Sequence, residues 1–220
     1  MTDASVPSPA QQYWDGFYQD QDQGQDQGPA RAVRPNPLLV REVGSLAPGT
    51  ALDLGCGEGG DAIWLAGQGW RVTAVDVSAT VLRRAAARAL DAGVADSIRW
   101  ERHDLPQSFP AGLFDLVSAQ FLHSPVAAEG EREKILRGAA DAVAPGGVLL
   151  VISHAGWPSW LEHPPFEYHF PTTREVLASL DLPAHRWHVE VEDLVDRELT
   201  GPGGQSGRRQ DSVLRVRRTR

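Results

Sequence analysis

Two hydrophobic periods alternate along the chain from Asn36 onward. Short runs rich in β-branched residues, such as WRVTAVD, predict strands, and longer segments such as EREKILRGAADAVA, with apolar residues at helical spacing, predict helices. The predicted strands cover residues 51–55, 70–76, 97–104, 114–120 and 148–153. The predicted helices cover residues 35–46, 61–68, 79–93 and 131–144. This regular alternation with short connections predicts a doubly wound, parallel sheet.

After the fifth predicted strand the alternation weakens. Residues 154–170 form an irregular aromatic insertion, and Thr172 and Glu175 have the spacing of a capping box that opens a further helix. The last two strand patterns, residues 188–195 and 211–218, are close in the chain, which predicts an antiparallel pair at the edge. The expected fold class is therefore α/β, with a Rossmann-like, seven-stranded, mostly parallel sheet and an antiparallel edge strand.

The first 35 residues lack this alternation and are predicted to be a flexible segment ahead of a domain at 36–220. Residues 1–12 are polar and proline-bearing, which predicts disorder. Residues 13–18 contain an aromatic cluster, and the polar tract at 19–30 has the composition of a mobile linker. Because the aromatic cluster has no core of its own, we expect it to dock on the domain surface or to fold over a ligand as a lid.

Charge and cysteine content exclude several classes of function. The formal net charge is −8 and the sequence pI is about 5.3, whereas broad nucleic-acid binding requires a basic surface that neutralises phosphates. Cys56 is the single cysteine, so an intramolecular disulfide or a cysteine zinc site is excluded. No apolar run approaches the length of a membrane span and no signal peptide follows Met1, so a cytoplasmic protein is expected.

A glycine-rich turn follows the first predicted strand. Gly55, Gly57 and Gly60 fit the Gly-x-Gly-x-x-Gly pattern of nucleotide-binding turns, in which the backbone approaches the ligand closely and a helix start offers free N–H groups. Asp53 before the turn and Glu58 within it would repel the pyrophosphate of a dinucleotide. A cation would be favoured there instead.

S-adenosylmethionine satisfies this charge requirement, because it carries an ammonium and a sulfonium beside its ribose and no phosphate. Asp76 ends the second predicted strand, about twenty residues after the first glycine, where a carboxylate can accept hydrogen bonds from both ribose hydroxyls. Simpler interpretations are Asp53 as a cap for the loop amides and Glu58 as a solvated loop residue. A helix-capping role for Asp76 is disfavoured because Ser78 fills it better.

Further short motifs occur around these acids. They are Leu52-Asp53-Leu54-Gly55-Cys56-Gly57-Glu58-Gly59, Val75-Asp76-Val77-Ser78, Asp104-Leu105, Phe114-Asp115-Leu116-Val117 and Pro145-Gly146-Gly147. In this order and at this spacing, the region 51–153 resembles the class I S-adenosylmethionine-dependent methyltransferases. Three more segments resemble the small-molecule branch of that family, which includes tellurite-resistance and thiopurine methyltransferases. They are Tyr13-Trp14-Asp15 with Tyr18, Pro35-Asn36-Pro37 and Phe121-Leu122-His123.

The resemblance implies a role for each matching position. Residues 53–59 would hold the methionine part of the cofactor and Asp76 the ribose. Asp104 would accept the adenine amino group, with Leu105 supplying a backbone donor, although Asp104 also suits an ordinary turn. Cys56 is most simply a small buried residue. The implied cofactor-binding residues are Trp14, Asp53, Gly55, Cys56, Gly57, Glu58, Gly59, Asp76, Val77, Asp104, Leu105, Gln120 and Phe121.

The acceptor side of the site is less defined. His123 lies just beyond the fourth predicted strand, and an unperturbed imidazole titrates near ~6.5, which suits a base; a histidine that hydrogen-bonds the loop backbone is the alternative. The 154–170 insertion suits an aromatic wall over the substrate or a loop packed for stability. Its histidine spacings match no zinc pattern, so no metal is expected. The predicted substrate-binding residues are Tyr18, Trp157, Trp160 and His123, the last also as the catalytic base.

The expected activity is methyl transfer from S-adenosylmethionine to a heteroatom of a small molecule. A thiol or chalcogen acceptor is favoured because it ionises near neutral pH, whereas a phenol or another oxygen or nitrogen acceptor would need a base. A nicotinamide-dependent oxidoreductase is disfavoured by the acids of the turn. It is also disfavoured because a catalytic set such as Tyr-x-x-x-Lys is missing, Lys134 being the only lysine of the sequence. A non-catalytic S-adenosylmethionine-binding protein is the other alternative. The expected assembly is a monomer or homodimer, with no nucleic-acid or membrane partner.

Overall fold

A computed structural model describes residues 6–25, 33–164, 166–201 and 203–220. Seven strands and six α-helices alternate along most of the chain. The strands are β1 (Thr50–Leu54), β2 (Arg71–Asp76), β3 (Ile98–Arg102), β4 (Phe114–Gln120), β5 (Val143–His154), β6 (Trp187–Thr200) and β7 (Ser206–Arg218). The helices are α1 (Pro9–Gln25), α2 (Pro37–Val43), α3 (Gly60–Gly67), α4 (Ala79–Asp91), α5 (Glu131–Asp141) and α6 (Thr173–Leu180).

One mixed sheet contains all seven strands, in the order β3-β2-β1-β4-β5-β7-β6. The first five strands pair in parallel, and β7 runs antiparallel to both of its neighbours. The predicted α/β class, with a mostly parallel seven-stranded sheet, is therefore confirmed, and the antiparallel strand lies one place inside the edge strand β6. The order reverses between β1 and β4, which is the place where doubly wound sheets bind ligands.

Both faces of the sheet are covered, as expected for parallel strands with continuous apolar runs. Ala51 belongs to a buried cluster that includes Leu39 and Leu65 from the helices on one face. Leu52 belongs to a second cluster with Leu136 and Val176 from the helices on the other face. Successive residues of β1 therefore face opposite layers, and the strand is held rigidly between them.

The helix caps follow the sequence closely. The Ser78 hydroxyl accepts a hydrogen bond from the Val81 amide at the start of α4, and Thr172 and Glu175 form the predicted capping box at the start of α6. The structure differs at β5, which begins at Val143 rather than at residue 148. Val143 pairs with Phe114, and the register shifts before the next pair, so a bulge accommodates the intervening turn residues.

The N-terminal segment is more regular than predicted. Residues 9–25 form α1, including part of the predicted disordered stretch and residues 19–25 of the predicted linker. The Ser8 hydroxyl accepts a hydrogen bond from the Gln11 amide and so caps the helix start, and glutamine has a high helix propensity. Residues 1–5 and 26–32, which complete the predicted flexible segment, lie outside the described residues.

Helices long and apolar enough to cross a membrane do not occur in the part of the chain that the structure describes.

Candidate active site

A cavity of about 680 Å³ opens at the carboxyl ends of β1, β2, β3 and β4. Helix α1 and residues 33–37 close it on one side, and α5 borders it on the other. Most of the residues predicted for the site line this cavity. They are Trp14, Tyr18, Asp53, Gly55, Cys56, Glu58, Asp76, Val77, Asp104, Leu105, Gln120, Phe121 and His123.

The glycine turn brings the backbone close to its surroundings. Gly55 has φ +68°, and a Cβ atom there would lie 2.9 Å from the Leu122 side chain. Gly59 has φ +83°, and a Cβ atom there would lie 2.8 Å from the Trp100 ring. A larger residue would therefore be strained and crowded at either position. Gly57 and Gly59 were predicted to contact the cofactor, but neither lines the cavity.

Asp53 is a buried carboxylate at the end of β1. Its Oδ2 atom has no hydrogen-bond partner within the described residues, and the side chain lines the cavity. Burial raises the pKa of Asp53 well above its usual value, and the nearby carboxylates of Asp61 and Asp76 raise it further. An unpaired buried oxygen is costly unless a ligand donates to it. The site is therefore suited to a cation with N–H groups.

Asp76 is also buried but is held by backbone amides. Its Oδ2 accepts a hydrogen bond from the Gly57 amide at 3.1 Å, and its Oδ1 accepts one from the Ser78 amide at 3.0 Å. Burial raises the pKa of Asp76, and these hydrogen bonds partly offset the increase. Each oxygen retains a second lone pair, so the carboxylate can still accept two ligand hydroxyls.

Glu58 lines the cavity, but its charge is shared with the protein. Its Oε1 atom forms a salt bridge with Arg88 Nη2 at 3.2 Å. Of the two acids near the turn, Asp53 therefore carries the less compensated negative charge toward the ligand.

Sequence reasoning missed a hydrogen-bonded group around Asp61, in the first turn of α3. Asp61 Oδ1 accepts from the Asn36 amide at 2.6 Å, and its Oδ2 accepts from Gln120 Nε2 at 2.8 Å. The side chain of Asn36 in turn donates to Gln120 Oε1. Burial raises the pKa of Asp61 to about 6, against the lowering effect of these hydrogen bonds. The group fixes Gln120 at the end of β4, and an acid at the first turn of a helix was the only signal for it.

His123 lines the cavity on the loop that follows β4, one residue after Leu122. Burial lowers its pKa, and the neighbouring His154 lowers it further, so the imidazole is neutral at neutral pH and can accept a proton. The two histidine rings lie 5.7 Å apart between centroids. His154 Nδ1 lies 3.0 Å from a carboxylate oxygen of Asp211, a fully buried residue on β7.

Phe121 begins the loop that carries His123. Its φ of +48° is unusual for a residue with a side chain and marks strain that the surrounding contacts must hold. Its ring stacks on His154 at a centroid distance of 4.2 Å, and its amide donates to the Ile152 carbonyl at 2.8 Å. The strained residue thus directs the loop across the cavity.

Trp157 and Trp160 were predicted as substrate contacts, and the structure does not bring them to this cavity. Neither residue lines the cavity. Trp157 packs edge-on against Phe166 and Phe170, at centroid distances of 5.0 and 5.4 Å. Trp160 packs over Gly207 of β7, where a Cβ atom would collide with its ring. Trp157 thus packs within the insertion, and Trp160 packs the insertion against β7.

The part of the sequence that carries much of the cavity matches a known protein family. A family model described as a methyltransferase domain matches residues 51–147, which include the glycine turn and the first four strands. Residues 51–147 are thus similar to a methyltransferase domain. S-adenosylmethionine is the cofactor of this domain, and the uncompensated Asp53 oxygen and the Asp76 carboxylate fit its ammonium and its ribose hydroxyls.

Two curated relatives share about a third of their aligned residues with the chain. The ribosomal RNA small subunit methyltransferase C of Chromohalobacter salexigens is 31% identical over 131 residues, covering 57% of this chain and 38% of the relative. Human glycine N-methyltransferase is 32% identical over 178 residues, covering 71% of this chain and 59% of the relative. The chain thus spans less than two thirds of the length of either relative.

A solved structure shares the fold over nearly the whole chain. It comes from a study of the conversion of a disulfide bond into a thioacetal group during echinomycin biosynthesis. The TM-score is 0.70 at 22% sequence identity, with 95% of this chain and 93% of that chain covered. At this identity the likeness concerns the fold, including the region outside the methyltransferase domain.

Proposed function

We propose that this chain transfers the methyl group of S-adenosylmethionine to a heteroatom of a small molecule. The observation that carries the proposal is one cavity that is lined both by Asp53, at its acidic end with the unpaired oxygen, and by the neutral His123. Its volume of about 680 Å³ lies within the range typical of small-molecule sites. The motif resemblance to the tellurite-resistance and thiopurine branch supports the same substrate size.

The residues of the acidic end have distinct proposed roles toward the cofactor. Asp53 accepts from the ammonium, and Asp76 accepts from the ribose hydroxyls. Asp104 accepts from the adenine amino group, and the backbone of Leu105 donates to the ring. Gln120, fixed through Asp61, borders the position of the reacting methyl.

Methyl transfer makes limited demands on the protein. The bound cofactor supplies an already activated methyl, so positioning of the acceptor in line with it accounts for much of the acceleration. Trp14 and Tyr18 line the cavity, and their proposed role is to cover the bound cofactor. His123 removes the proton from an acceptor that is not already ionised, and the imidazole then releases that proton to solvent.

We favour a thiol or chalcogen acceptor, with a phenol or another oxygen or nitrogen acceptor as the alternative. A thiol loses its proton near neutral pH, so it depends least on a base. The fold neighbour named above comes from a study of the conversion of a disulfide bond into a thioacetal group, which is chemistry at sulfur. A large nucleic acid is disfavoured by the net charge of −8, although one relative is a ribosomal RNA methyltransferase.

The test combines binding and turnover. Calorimetry with S-adenosylhomocysteine should show micromolar or tighter binding, and incubation with methyl-labelled S-adenosylmethionine should label members of a panel of thiols, phenols and chalcogen oxyanions. Mass spectrometry would confirm products heavier by one methyl group. Binding with no labelled product in the panel would favour the non-catalytic alternative, and labelling of RNA instead would overturn the small-molecule assignment.

A further inference from the structure

The charged side chains that line the cavity come from different elements. Asp53, Asp61 and Asp76 lie at the end of β1, the start of α3 and the end of β2, and we call their surroundings the cofactor end. Arg132 on α5 and Arg197 on β6 line the same cavity, and Arg132 is hydrogen-bonded to Leu122 beside His123, so we call their surroundings the acceptor end. A guanidinium at the acceptor end could meet an anionic ligand.

The two arginines differ in how far the protein neutralises them. Arg197 Nη1 bonds a buried carboxylate oxygen of Asp211 at 2.7 Å. Arg132 donates from Nε to the Leu122 carbonyl at 3.1 Å and from Nη2 to the Ser153 hydroxyl at 2.7 Å, and both acceptors are neutral. Across the described ranges Arg132 has no salt bridge, and its Nη1 has no hydrogen bond. Its charge is therefore available to a ligand.

The position of Arg132 is not explained by helix stability. It lies in the first turn of α5, where the helix dipole disfavours a cation. Burial lowers the pKa of its guanidinium, and the nearby carboxylate of Glu133 offsets part of this effect without forming a salt bridge in the described residues. Glu131 lines the same cavity, but its Oε2 atom accepts from the Ala128 amide at 3.2 Å and so is directed to the loop before the helix.

We propose that Arg132 binds a carboxylate of the methyl acceptor and so selects small acidic substrates. The inference rests on the proposed function, because it assigns the acceptor half of the same cavity. A guanidinium offers several N–H donors in one plane, and its hydrogen bonds to a carboxylate are strong. Through the Leu122 carbonyl, Arg132 is tied to the residue next to His123. An acid held on Arg132 therefore has its uncharged part in the region of the proposed base.

The test uses pairs of compounds that differ in charge but hardly in shape. Protein loaded with S-adenosylhomocysteine is titrated by calorimetry with 3-mercaptopropionate and 3-mercaptopropionamide, and with benzoate and benzamide. The wild type should bind each acid about 10- to 100-fold more tightly than its amide, the range for a hydrogen bond to a charged group. R132Q should bind acid and amide alike, and R132K should retain part of the preference because it keeps the charge.

R137Q is the matched control. Arg137 is on the same helix, but it does not line the cavity, and its Nη1 donates to the Ser179 carbonyl on the protein surface. This variant should keep the full preference for the acids. Circular dichroism of each variant checks the fold, and the wild-type acid-to-amide ratio remains a test even where R132Q does not fold.

Two results would overturn the proposal. The first is a wild type that shows no preference for the acids, which includes binding of neither compound. The second is an R132Q variant that loses affinity for acid and amide equally, since that would make Arg132 a support for the Leu122 loop alone. Failure of the wild type to bind S-adenosylhomocysteine in the loading step would instead contradict the proposed function.

Discussion

The buried carboxylate of Asp53 is in a position that is unfavourable for the stability of the free protein. Asp53 is 3% exposed, and its Oδ2 has no partner among the residues described. Asp53 and Asp76 could be located from sequence because each follows a strand at a spacing fixed by the local chain. Asp61 and Arg132 could not, because their roles depend on contacts with Gln120 and Leu122, which fold in from distant positions.

Asp53→Asn should separate ligand binding from stability. The folded-state pKa of Asp53 is raised, so its contribution to stability is present at low pH and is lost as pH rises through that pKa. At neutral pH the variant should therefore have a higher Tm without ligand, and the gain should shrink as the pH falls. Affinity for S-adenosylhomocysteine should fall by about 1.5–3 kcal/mol.

Differential scanning calorimetry and titration calorimetry measure the two effects. Asp96→Asn removes an equal charge from an exposed position and should change neither. A Tm that falls in Asp53→Asn at neutral pH would show that the carboxylate stabilises the free protein.

Asp76→Ala should weaken cofactor binding through the ribose. Loss of the carboxylate removes acceptors for two hydroxyls, which should cost about 1.5–3 kcal/mol of S-adenosylhomocysteine affinity. It also leaves the Gly57 amide without its partner, so Asp76→Asn serves as a milder companion that keeps an oxygen in place. Titration calorimetry is the measurement. Unchanged affinity in both variants would remove Asp76 from the ribose role.

His123→Ala should affect acceptors according to their acidity. The rate with a weakly acidic phenol should fall by about 10²- to 10⁴-fold, the usual effect of losing a general base, while an ionised thiol should lose little. Because burial lowers the pKa of His123, the wild-type rate with the phenol should fall only as the pH drops below the ordinary histidine range. If the variant keeps the wild-type rate with both acceptors and its cofactor binding is intact, His123 belongs to the loop structure and is not the base.

At the level of elements, sequence periodicity predicted the strands better than the ends of the chain. β1, β2 and β4 are mostly apolar and buried, so their pattern was unambiguous, whereas β3 is predicted by its position in the alternation rather than by burial. Helix α1 has no such pattern beyond residue 18, and its place depends on contacts with α4. The Arg84 side chain donates to the Tyr18 carbonyl, and the Ser78 hydroxyl donates to Asp15. Contacts of this kind leave no periodic signal.

Helix α1 is proposed to act as a lid rather than as part of the core. The two buried clusters of the sheet contain no residue of α1, whereas Trp14 and Tyr18 line the cavity. Deletion of residues 1–30 should therefore leave a folded protein with weaker binding of S-adenosylhomocysteine, as measured by circular dichroism and calorimetry.

A point-variant pair sharpens this test. Trp14→Ala should reproduce much of the loss, and Phe17→Ala should not, because Phe17 is 40% exposed and does not line the cavity. Loss of the circular dichroism signal on deletion would place α1 in the folding core, and full affinity after deletion would exclude a lid.

For the whole molecule, the architecture followed from sequence, and most of the residues predicted to bind the cofactor line one cavity, whereas the composition of the acceptor end was not predicted. Strand order places four strand ends at one cavity, and the acids near those ends are close in sequence to the turns that carry them. The acceptor end combines α5, β6 and the loop after β4, three elements that meet only in the folded sheet. The aromatic insertion at 154–170 was assigned to the acceptor end because of its composition. Trp157 and Trp160 of this insertion instead pack against Phe166, Phe170 and Gly207.

Ligand-induced stabilisation of the whole chain tests cofactor identity. A ligand that binds only the folded state at a hundred times its Kd stabilises it by about 2.7 kcal/mol, which for a domain of this size raises Tm by about 5–10 °C. S-adenosylhomocysteine should produce such a shift at neutral pH. NAD should produce almost none, because its pyrophosphate would face the carboxylates of Asp53, Asp61 and Asp76, two of them buried, in a poorly screened cavity. The Asp53→Asn variant provides the control, since its shift with S-adenosylhomocysteine should be smaller. An equal or larger shift with NAD would contradict the assignment of the cavity.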